Sequence, residues 1–195
     1  MGLSFIDKFH IWRKRMRWDR QYKKGKWEFL KNDLESHRYS KIAEYIKLYG
    51  AKNPSILDLG CGEGILNEYV SDVNYKHFLG VDYSKVSIAN AKQKGFKNSD
   101  FLVADLHHYT PHSKFDVIIF NEAFYYVFDS EKANVLSTML NSLENGGIII
   151  TSIFNEGTGC WEYFDIDRLE KKNFEKVSPS KKGTYWQVGA YKKIS

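Results

Sequence analysis

The sequence predicts an α/β protein with a single doubly wound, mostly parallel sheet, and three observations support that prediction. Short apolar runs of strand length alternate with helix-like segments between residues 55 and 153. A turn of closely spaced glycines joins the first strand to the helix that follows it. The last two apolar runs have no helix between them and read as a hairpin. Strands separated by helices pair in parallel, because the crossover returns the chain to the same end of the sheet.

The individual elements follow from hydrophobic spacing and from residues that break helices. Apolar residues at helical spacing predict a helix over residues 32–49, which Gly50 ends before the first strand. Strands are predicted at 55–59, 77–81, 100–103, 115–120 and 147–153, with helices between them at 64–72, 84–95 and 130–144. Asn145-Gly146-Gly147 is expected to end the last of these helices. A short helix at 165–172 and two strands at 174–178 and 184–192, joined by residues 179–183, complete the chain.

Composition excludes several classes of protein. A chain of 195 residues with 43% hydrophobic residues suits one domain. No apolar run approaches the ~20 residues that span a bilayer, and the first ten residues lack the features of a signal peptide. We therefore expect a cytoplasmic protein in which Cys61 and Cys160 are free thiols. No cysteine–histidine cluster has zinc spacing, so no metal is expected.

The positive charge is concentrated at the start of the chain. Residues 1–27 hold nine lysines and arginines against two aspartates, a net charge of +7, whereas the whole chain carries +5 and the remainder therefore −2. Such a segment can serve an anionic substrate, a membrane surface or a nucleic acid. A solvated arm without a partner would have the same composition, and the sequence leaves these readings open.

The most informative motif is the glycine turn. Residues 56–64 read Ile-Leu-Asp-Leu-Gly-Cys-Gly-Glu-Gly, a buried-strand pattern followed by three glycines at alternate positions. Glycine allows a tight turn and a close approach of the backbone to a ligand, and a helix N-terminus beyond it favours an anionic group. This motif resembles motif I of class I S-adenosylmethionine methyltransferases. The resemblance implies that Asp58, Gly60, Cys61 and Gly62 contact the cofactor.

The same resemblance carries expectations about the whole chain. It implies S-adenosyl-L-methionine as cofactor and S-adenosyl-L-homocysteine as product. It implies a Rossmann-like sheet of seven strands, of which the last is antiparallel, and an N-terminal helical lid. On this basis residues 51–195 form the methyltransferase domain, and residues 1–50 form a basic and aromatic lid and helix.

Two acids end the second and third predicted strands. Asp82 lies 22 residues beyond Gly60, where a carboxylate can accept hydrogen bonds from ribose hydroxyls, and Tyr83 follows it. Asp105 resembles the acid of the family that accepts a hydrogen bond from the exocyclic amine of the cofactor's adenine. The Leu106 backbone amide would then meet a nitrogen of the adenine ring. The alternative for Asp82 is a loop carboxylate or a helix cap, and the alternative for Asp105 is a helix cap.

Aromatic residues ahead of the glycine turn resemble the cofactor lid of small sugar-type methyltransferases. Tyr22 and Trp27 are expected to enclose the positive sulfur, because aromatic faces favour cations. Arg38 is expected to pair with the methionyl carboxylate. A tethering helix whose aromatic residues pack on the domain is the alternative reading.

The exit of the fourth strand supplies the acceptor side. It reads Asn121-Glu122-Ala123-Phe124-Tyr125-Tyr126, at the edge where ligands bind in open α/β sheets. Asn121 is assigned to the cofactor. Glu122 is the preferred base or acceptor anchor. The further candidates are His107 and Tyr125 for catalysis, and Tyr126 and Trp161 for the acceptor.

The function predicted from these motifs is methyl transfer to a hydroxyl or amine of a small polar metabolite. The pattern at the fourth strand resembles methyltransferases acting on sugars and amines and lacks the Asn/Asp-Pro-Pro-Tyr motif of base-methylating enzymes. A sugar, a nucleotide-sugar or a surface-glycan component is the expected acceptor, in carbohydrate biosynthesis, and an anionic acceptor is included. Nucleic acid is not the expected partner. The alternatives are an RNA or protein methyltransferase that uses the basic arm, and a non-catalytic protein that binds the cofactor.

Overall fold

A single seven-stranded sheet organises the molecule. The computed structural model describes residues 5–179 and 183–194, so residues 180–182 of the expected connection between the last two strands lie outside the described residues. The strands are β1 (Ser55–Leu59), β2 (His77–Asp82), β3 (Ser99–Val103), β4 (Phe115–Asn121), β5 (Leu143–Phe154), β6 (Leu169–Val177) and β7 (Trp186–Lys193). The helices are α1 (Phe5–Lys23), α2 (Asp33–Tyr49), α3 (Ile65–Tyr69), α4 (Lys85–Gln93) and α5 (Asp129–Asn141).

The strand order confirms the predicted fold class. It is β3-β2-β1-β4-β5-β7-β6, with parallel pairing from β3 through β5. Strand β7 pairs antiparallel with both β5 and β6 and is inserted between them. The sheet therefore has the seven strands, the last one antiparallel, that the sequence resemblance implied.

The hydrophobic core lies on both faces of the sheet, because successive side chains of a buried parallel strand point to opposite faces. Ile56 and Phe78 belong to the cluster that packs under α2, α3 and α4. Leu57 and Phe120 belong to the opposite cluster, which packs under α5 and the 3₁₀ turn at Trp161–Phe164. This doubly wound arrangement leaves the carboxyl ends of the parallel strands open at one edge.

Near the end of the chain one predicted boundary is displaced, and one predicted element is wrong. The last central helix ends at Asn141, and β5 already begins at Leu143. Gly146, with φ of +74°, lies in a bulge of β5, across which the pairing with β4 changes register. Residues 165–172 contain no helix, because Leu169 begins β6. Strand β6 is the outer strand of the sheet, where charged residues remain in solvent, so its polar sequence lacks the alternation of a half-buried strand.

The direction of β7 affects the site. Because β7 runs against its neighbours, its first residue, Trp186, pairs with Phe154 at the carboxyl end of β5. The start of the last strand therefore lies at the same sheet edge as the glycine turn. Among the described residues, no helix is both long enough and apolar enough to cross a bilayer.

Candidate active site

A cavity of about 430 Å³ lies at the carboxyl edge of the parallel strands. Its lower wall is formed by the ends of β1, β2 and β4, and its upper wall by α1 and the segment after it. The cavity contains most of the residues that the sequence analysis selected: Tyr22, Trp27, Arg38, Gly60, Cys61, Gly62, Asp82, Tyr83, Asp105, Leu106, His107, Asn121, Glu122, Tyr125 and Tyr126. Residues distant in the sequence therefore converge on one site.

The glycine turn passes through positions that a side chain could not occupy. Gly60 and Gly62 have φ of +79° and +55°, which L side chains rarely adopt. A Cβ on Gly60 would lie 2.6 Å from Cβ of Ala123, and one on Gly62 would lie 2.8 Å from the hydroxyl of Tyr22. The turn thus brings bare backbone to the cavity wall, directly beneath the lid residue Tyr22.

Asp82 anchors the turn to the next helix. Its Oδ2 accepts a hydrogen bond from the backbone N–H of Gly62 at 2.9 Å. Its Oδ1 accepts from the N–H of Ser84 at 2.7 Å and the hydroxyl of Ser87 at 3.0 Å. Burial raises the pKa of Asp82 above its usual range, while these hydrogen bonds act in the opposite direction. Each carboxylate oxygen has two lone pairs, so Oδ2 retains one for a ligand.

Asp105 and His107 form a fixed pair. Nδ1 of His107 lies 2.6 Å from Oδ1 of Asp105, and Nε2 of His107 accepts the backbone N–H of Phe128 at 3.2 Å. Because Nε2 accepts a hydrogen bond, the proton of the neutral ring is on Nδ1 and is donated to Asp105. Burial opposes ionisation of Asp105, but the hydrogen bonds from His107 lower its pKa below the usual value. Both ring nitrogens are engaged, so the geometry does not support His107 as a base.

A buried guanidinium lies at the opposite end of the cavity. Arg38 is 1% exposed and donates to Oε2 of Glu35 at 2.7 Å and to Oδ1 of Asn121. Its Nε has no hydrogen-bond partner within the described part of the chain. The guanidinium also packs over the ring of Tyr39 at 4.3 Å. This end of the cavity therefore keeps one buried donor available.

Asp58 lies behind the turn and does not line the cavity. It is fully buried, and neither carboxylate oxygen finds a hydrogen-bond partner among the described residues. Burial raises the pKa of Asp58 to about 8, with a smaller contribution from Asp82 and an opposing one from Arg38. The carboxyl group is therefore largely protonated at neutral pH, and its predicted direct contact with the cofactor does not follow from this geometry.

Glu122 occupies the exit of β4 in a strained backbone conformation. Its φ is +56°, a region that non-glycine residues adopt at a cost, and its N–H donates to the Ser152 carbonyl at 3.0 Å. Oε1 accepts from the Ser152 hydroxyl and Oε2 from the Tyr125 hydroxyl, each at 3.1 Å. Burial raises the pKa of Glu122 to about 7, against the opposing charge of Arg38.

Aromatic side chains close the cavity from above. The rings of Trp18 and Trp27 stack with centroids 4.9 Å apart, and Tyr126 meets Trp18 edge-on at 5.2 Å. Asp19, which follows Trp18 on α1, accepts a hydrogen bond from the hydroxyl of Ser84 at 2.6 Å. Ser84 is the N-cap of α4 and follows Asp82 by two residues in the chain. Helix α1 is thus bound to the N-terminus of α4, the helix that follows Asp82.

Trp161, like Asp58, is a predicted residue that lies outside the cavity, and several lining or supporting residues had not been predicted. Trp161 packs against Phe174 at 4.7 Å and donates to the Glu156 carbonyl, so the geometry gives it no acceptor contact. The residues that were missed include Asp19, Glu35, Ser152, Phe154 and Trp186. Glu35 and Arg38 are three residues apart on one predicted helix, and this spacing could have predicted their ion pair. Trp186 had no such signal, because only the antiparallel insertion of β7 brings it to this edge. Phe154 ends the parallel strand β5, so the position of that strand was itself a signal for this edge.

The fold and this site define the class of protein. The model of the methyltransferase domain family matches residues 51–190, and the chain belongs to this family. S-adenosylmethionine is the methyl donor of the family, as the sequence resemblance implied.

Curated relatives match part of the chain. Malonyl-[acyl-carrier protein] O-methyltransferase 2 of Ilyobacter polytropus is 32% identical over 117 residues, which cover 57% of this chain and 42% of that protein. A ribosomal protein L11 methyltransferase of Clostridium perfringens is 30% identical over 142 residues, which cover 70% of this chain and 42% of that protein. The chain therefore spans less than half the length of each of these relatives.

Solved structures share the fold over most of the chain. The N-methyltransferase NodS of Bradyrhizobium japonicum WM9, in complex with S-adenosyl-L-homocysteine, superposes with a TM-score of 0.75 at 16% identity, covering 87% of this chain and 92% of that one. The 1,6-didemethyltoxoflavin-N1-methyltransferase of Burkholderia thailandensis gives a TM-score of 0.76 at 16% identity, covering 100% and 92%. At this identity the likeness establishes the fold.

Proposed function

We propose that this domain transfers a methyl group from S-adenosylmethionine to a hydroxyl or amine of a small polar metabolite, with Glu122 as the general base. The supporting observation is the Glu122 carboxylate in the cavity wall, oriented by Ser152 and Tyr125 and with a pKa of about 7. A base with a pKa near the working pH is available in its ionised form and still binds a proton well. Tyr125 acts here as the hydrogen-bond donor that orients the base.

The residues of the cavity fit the cofactor. The glycine turn offers bare backbone, Asp82 offers a carboxylate lone pair toward ribose hydroxyls, and Asp105 offers Oδ2 toward an amine. Tyr83 and Leu106 flank the adenine end. At the other end, Arg38 offers its unpaired Nε to a carboxylate, beside Asn121.

The lid contributes to binding at the reactive end. When bound, S-adenosylmethionine supplies a methyl carbon already activated by a positively charged sulfur. The aromatic faces of Tyr22, Trp18 and Trp27 favour such a charge. By covering the cavity these rings also exclude water. Their packing around the bound groups would hold the acceptor and donor atoms in line. On this proposal residues 1–50 act as the lid and helix of a catalytic domain over residues 51–195.

The size and lining of the cavity support a class of methyl acceptor. The named acceptors of the relatives range from malonyl-[acyl-carrier protein] to ribosomal protein L11 and 1,6-didemethyltoxoflavin, so they do not select one chemistry. The covered cavity of about 430 Å³ favours a small acceptor. Exposed Tyr126 at the mouth offers a ring face to a sugar, and Glu122 can orient its hydroxyl or amine. A sugar or nucleotide-sugar acceptor in carbohydrate biosynthesis is therefore our narrower proposal.

The basic charge of residues 1–27 supports a second candidate, methylation of RNA or protein. On that reading the arm docks an anionic polymer, and the interaction falls steeply with salt because counterions are released. Two buried free thiols, Cys61 and Cys160, agree with a cytoplasmic site of action for either candidate.

The test combines cofactor binding with a labelled transfer assay. Calorimetry should show that the purified chain binds S-adenosyl-L-homocysteine, and methyl-labelled cofactor should label a member of a panel of amino sugars, sugar phosphates and nucleotide-sugars. The Glu122→Gln variant should retain binding and lose transfer. Label found only in total RNA or protein, and suppressed by salt, would support the second candidate. Absence of binding by the wild-type chain would contradict both.

A further inference from the structure

The outward face of α1 carries an unusual combination of side chains. Trp12 and Met16 are 56% and 47% exposed, although both are large and apolar. Arg13, Arg17 and Arg20 are exposed on the same helix, at spacings of three and four residues that place them on one side. The inward side of α1 is occupied by Trp18 and its neighbours against the cavity, so this basic and apolar face is a separate surface.

Two arginines of this face keep their charge without an ion pair. Neither Arg17 nor Arg20 pairs with an acid among the side chains that the structure describes. The acid of this part of the helix, Asp19, points inward and is bonded to Ser84. The net charge of +7 in residues 1–27 contrasts with −2 for the rest of the chain, so the excess belongs to this helix and the residues around it. An anionic partner is what this field attracts.

We propose that the outward face of α1 docks the domain on an anionic lipid surface. A helix that lies in a membrane interface presents apolar and interfacial aromatic residues to the acyl boundary, and arginines beside them to the lipid phosphates. Trp12 and Met16 supply the first part, and Arg13, Arg17 and Arg20 supply the second. A polynucleotide backbone would be bound by the arginines alone and would leave Met16 in water, so the lipid surface accounts for more of the face.

Docking in this way would orient the active site. Arg17 belongs to the outward face and also lines the mouth of the cavity, next to Trp18. A domain bound through this face would therefore hold the mouth close to the lipid headgroups. On this proposal the lipid surface determines where the domain is located in the cell. The chemistry of methyl transfer does not depend on that surface.

Vesicle sedimentation of the full chain tests the proposal. The probes are vesicles of pure phosphatidylcholine and vesicles in which a quarter of the lipid is phosphatidylglycerol, at low and physiological salt. The wild-type chain should sediment with the anionic vesicles and remain in solution with the neutral ones. The triple variant Arg13→Gln, Arg17→Gln, Arg20→Gln should lose affinity on the order of 10²-fold, since each basic residue near the surface contributes about tenfold or less. Met16→Gln should also weaken binding, although it removes no charge.

A charge-matched control makes the outcome specific. Lys171→Gln, Lys172→Gln, Lys176→Gln removes the same charge from exposed positions of β6 and should bind anionic vesicles like the wild type. Far-UV circular dichroism and thermal unfolding verify that each variant is folded. If the triple variant is not folded, the binding of Met16→Gln decides the outcome. Equal losses in the arginine and lysine variants would overturn the proposal. The proposal would also be overturned if Met16→Gln bound anionic vesicles as tightly as the wild type does and the wild-type chain bound total RNA tightly. That result would indicate a site for polyanions in general.

Discussion

Replacing Glu122 with glutamine should make the protein more stable at high pH while it removes activity. Glutamine keeps the shape of the side chain, and its amide can still meet the hydroxyls of Ser152 and Tyr125. It removes the buried negative charge. Burial raises the pKa of Glu122 from 4.5 to about 7, which at 1.36 kcal/mol per pH unit corresponds to a penalty of roughly 3 kcal/mol for the ionised form.

The sign of this effect fixes the pH window. The folded protein binds the Glu122 proton more tightly than the unfolded chain does, so the contribution to stability is complete below pH 4.5. This contribution is lost as the pH rises to about 7, and above that pH the ionisation of Glu122 changes the stability no further. The Glu122→Gln variant should therefore gain roughly 3 kcal/mol of unfolding free energy relative to the wild type between pH 4.5 and pH 8.5.

Urea unfolding of both proteins at several pH values measures this difference. Glu162→Gln, at an exposed position, is the matched control and should show no comparable trend. Methyl transfer by Glu122→Gln should fall by roughly 10²-fold or more, with loss of the pH dependence near 7, while affinity for S-adenosyl-L-homocysteine is kept. A difference in unfolding free energy that is independent of pH would refute the buried-base reasoning, and unchanged turnover would reduce Glu122 to a structural residue.

Three further predictions concern the cofactor side. Asp82→Ala should weaken binding of S-adenosyl-L-homocysteine by about 1–3 kcal/mol, because it leaves hydrogen-bond donors unpaired; equal affinity in calorimetry would contradict this. His107→Ala should raise the KM for S-adenosylmethionine several-fold through Asp105 and leave the pH–rate profile unchanged, whereas loss of the limb near pH 7 would restore His107 as a base. Asp19→Ala should release the lid from Ser84, so hydrogen exchange of residues 18–39 in the presence of S-adenosyl-L-homocysteine should speed up by roughly tenfold. Unchanged exchange would favour a simple packing helix.

Much of the fold follows from local signals in the sequence. Strands β1 to β4 match their predictions within one residue at each end, because buried parallel strands are short apolar runs bounded by turns and helices. The glycine turn and Asp82 were selected from their positions, since the ends of parallel strands must meet at one edge of the sheet, and Asp105 was selected from its resemblance to a family acid. The failures occur where polar residues do not reveal their environment. The bulge at Gly146 reads as a helix stop, and the charged first part of β6, residues 169–172, reads as a helix because an edge strand needs no apolar face.

The sequence by itself determined the class of site, because glycines and acids at fixed distances from strands are local features of the chain. The tertiary structure decided what each group does there. Trp186 reaches the cavity only because β7 is inserted antiparallel. Both ring nitrogens of His107 are engaged only because the backbone of Phe128 lies against the second one. The pKa of Glu122 is about 7 because packing removes water from a carboxylate that the sequence shows only as charged. Desolvation and long-range hydrogen bonds depend on residues far apart in the chain, so no local pattern encodes them.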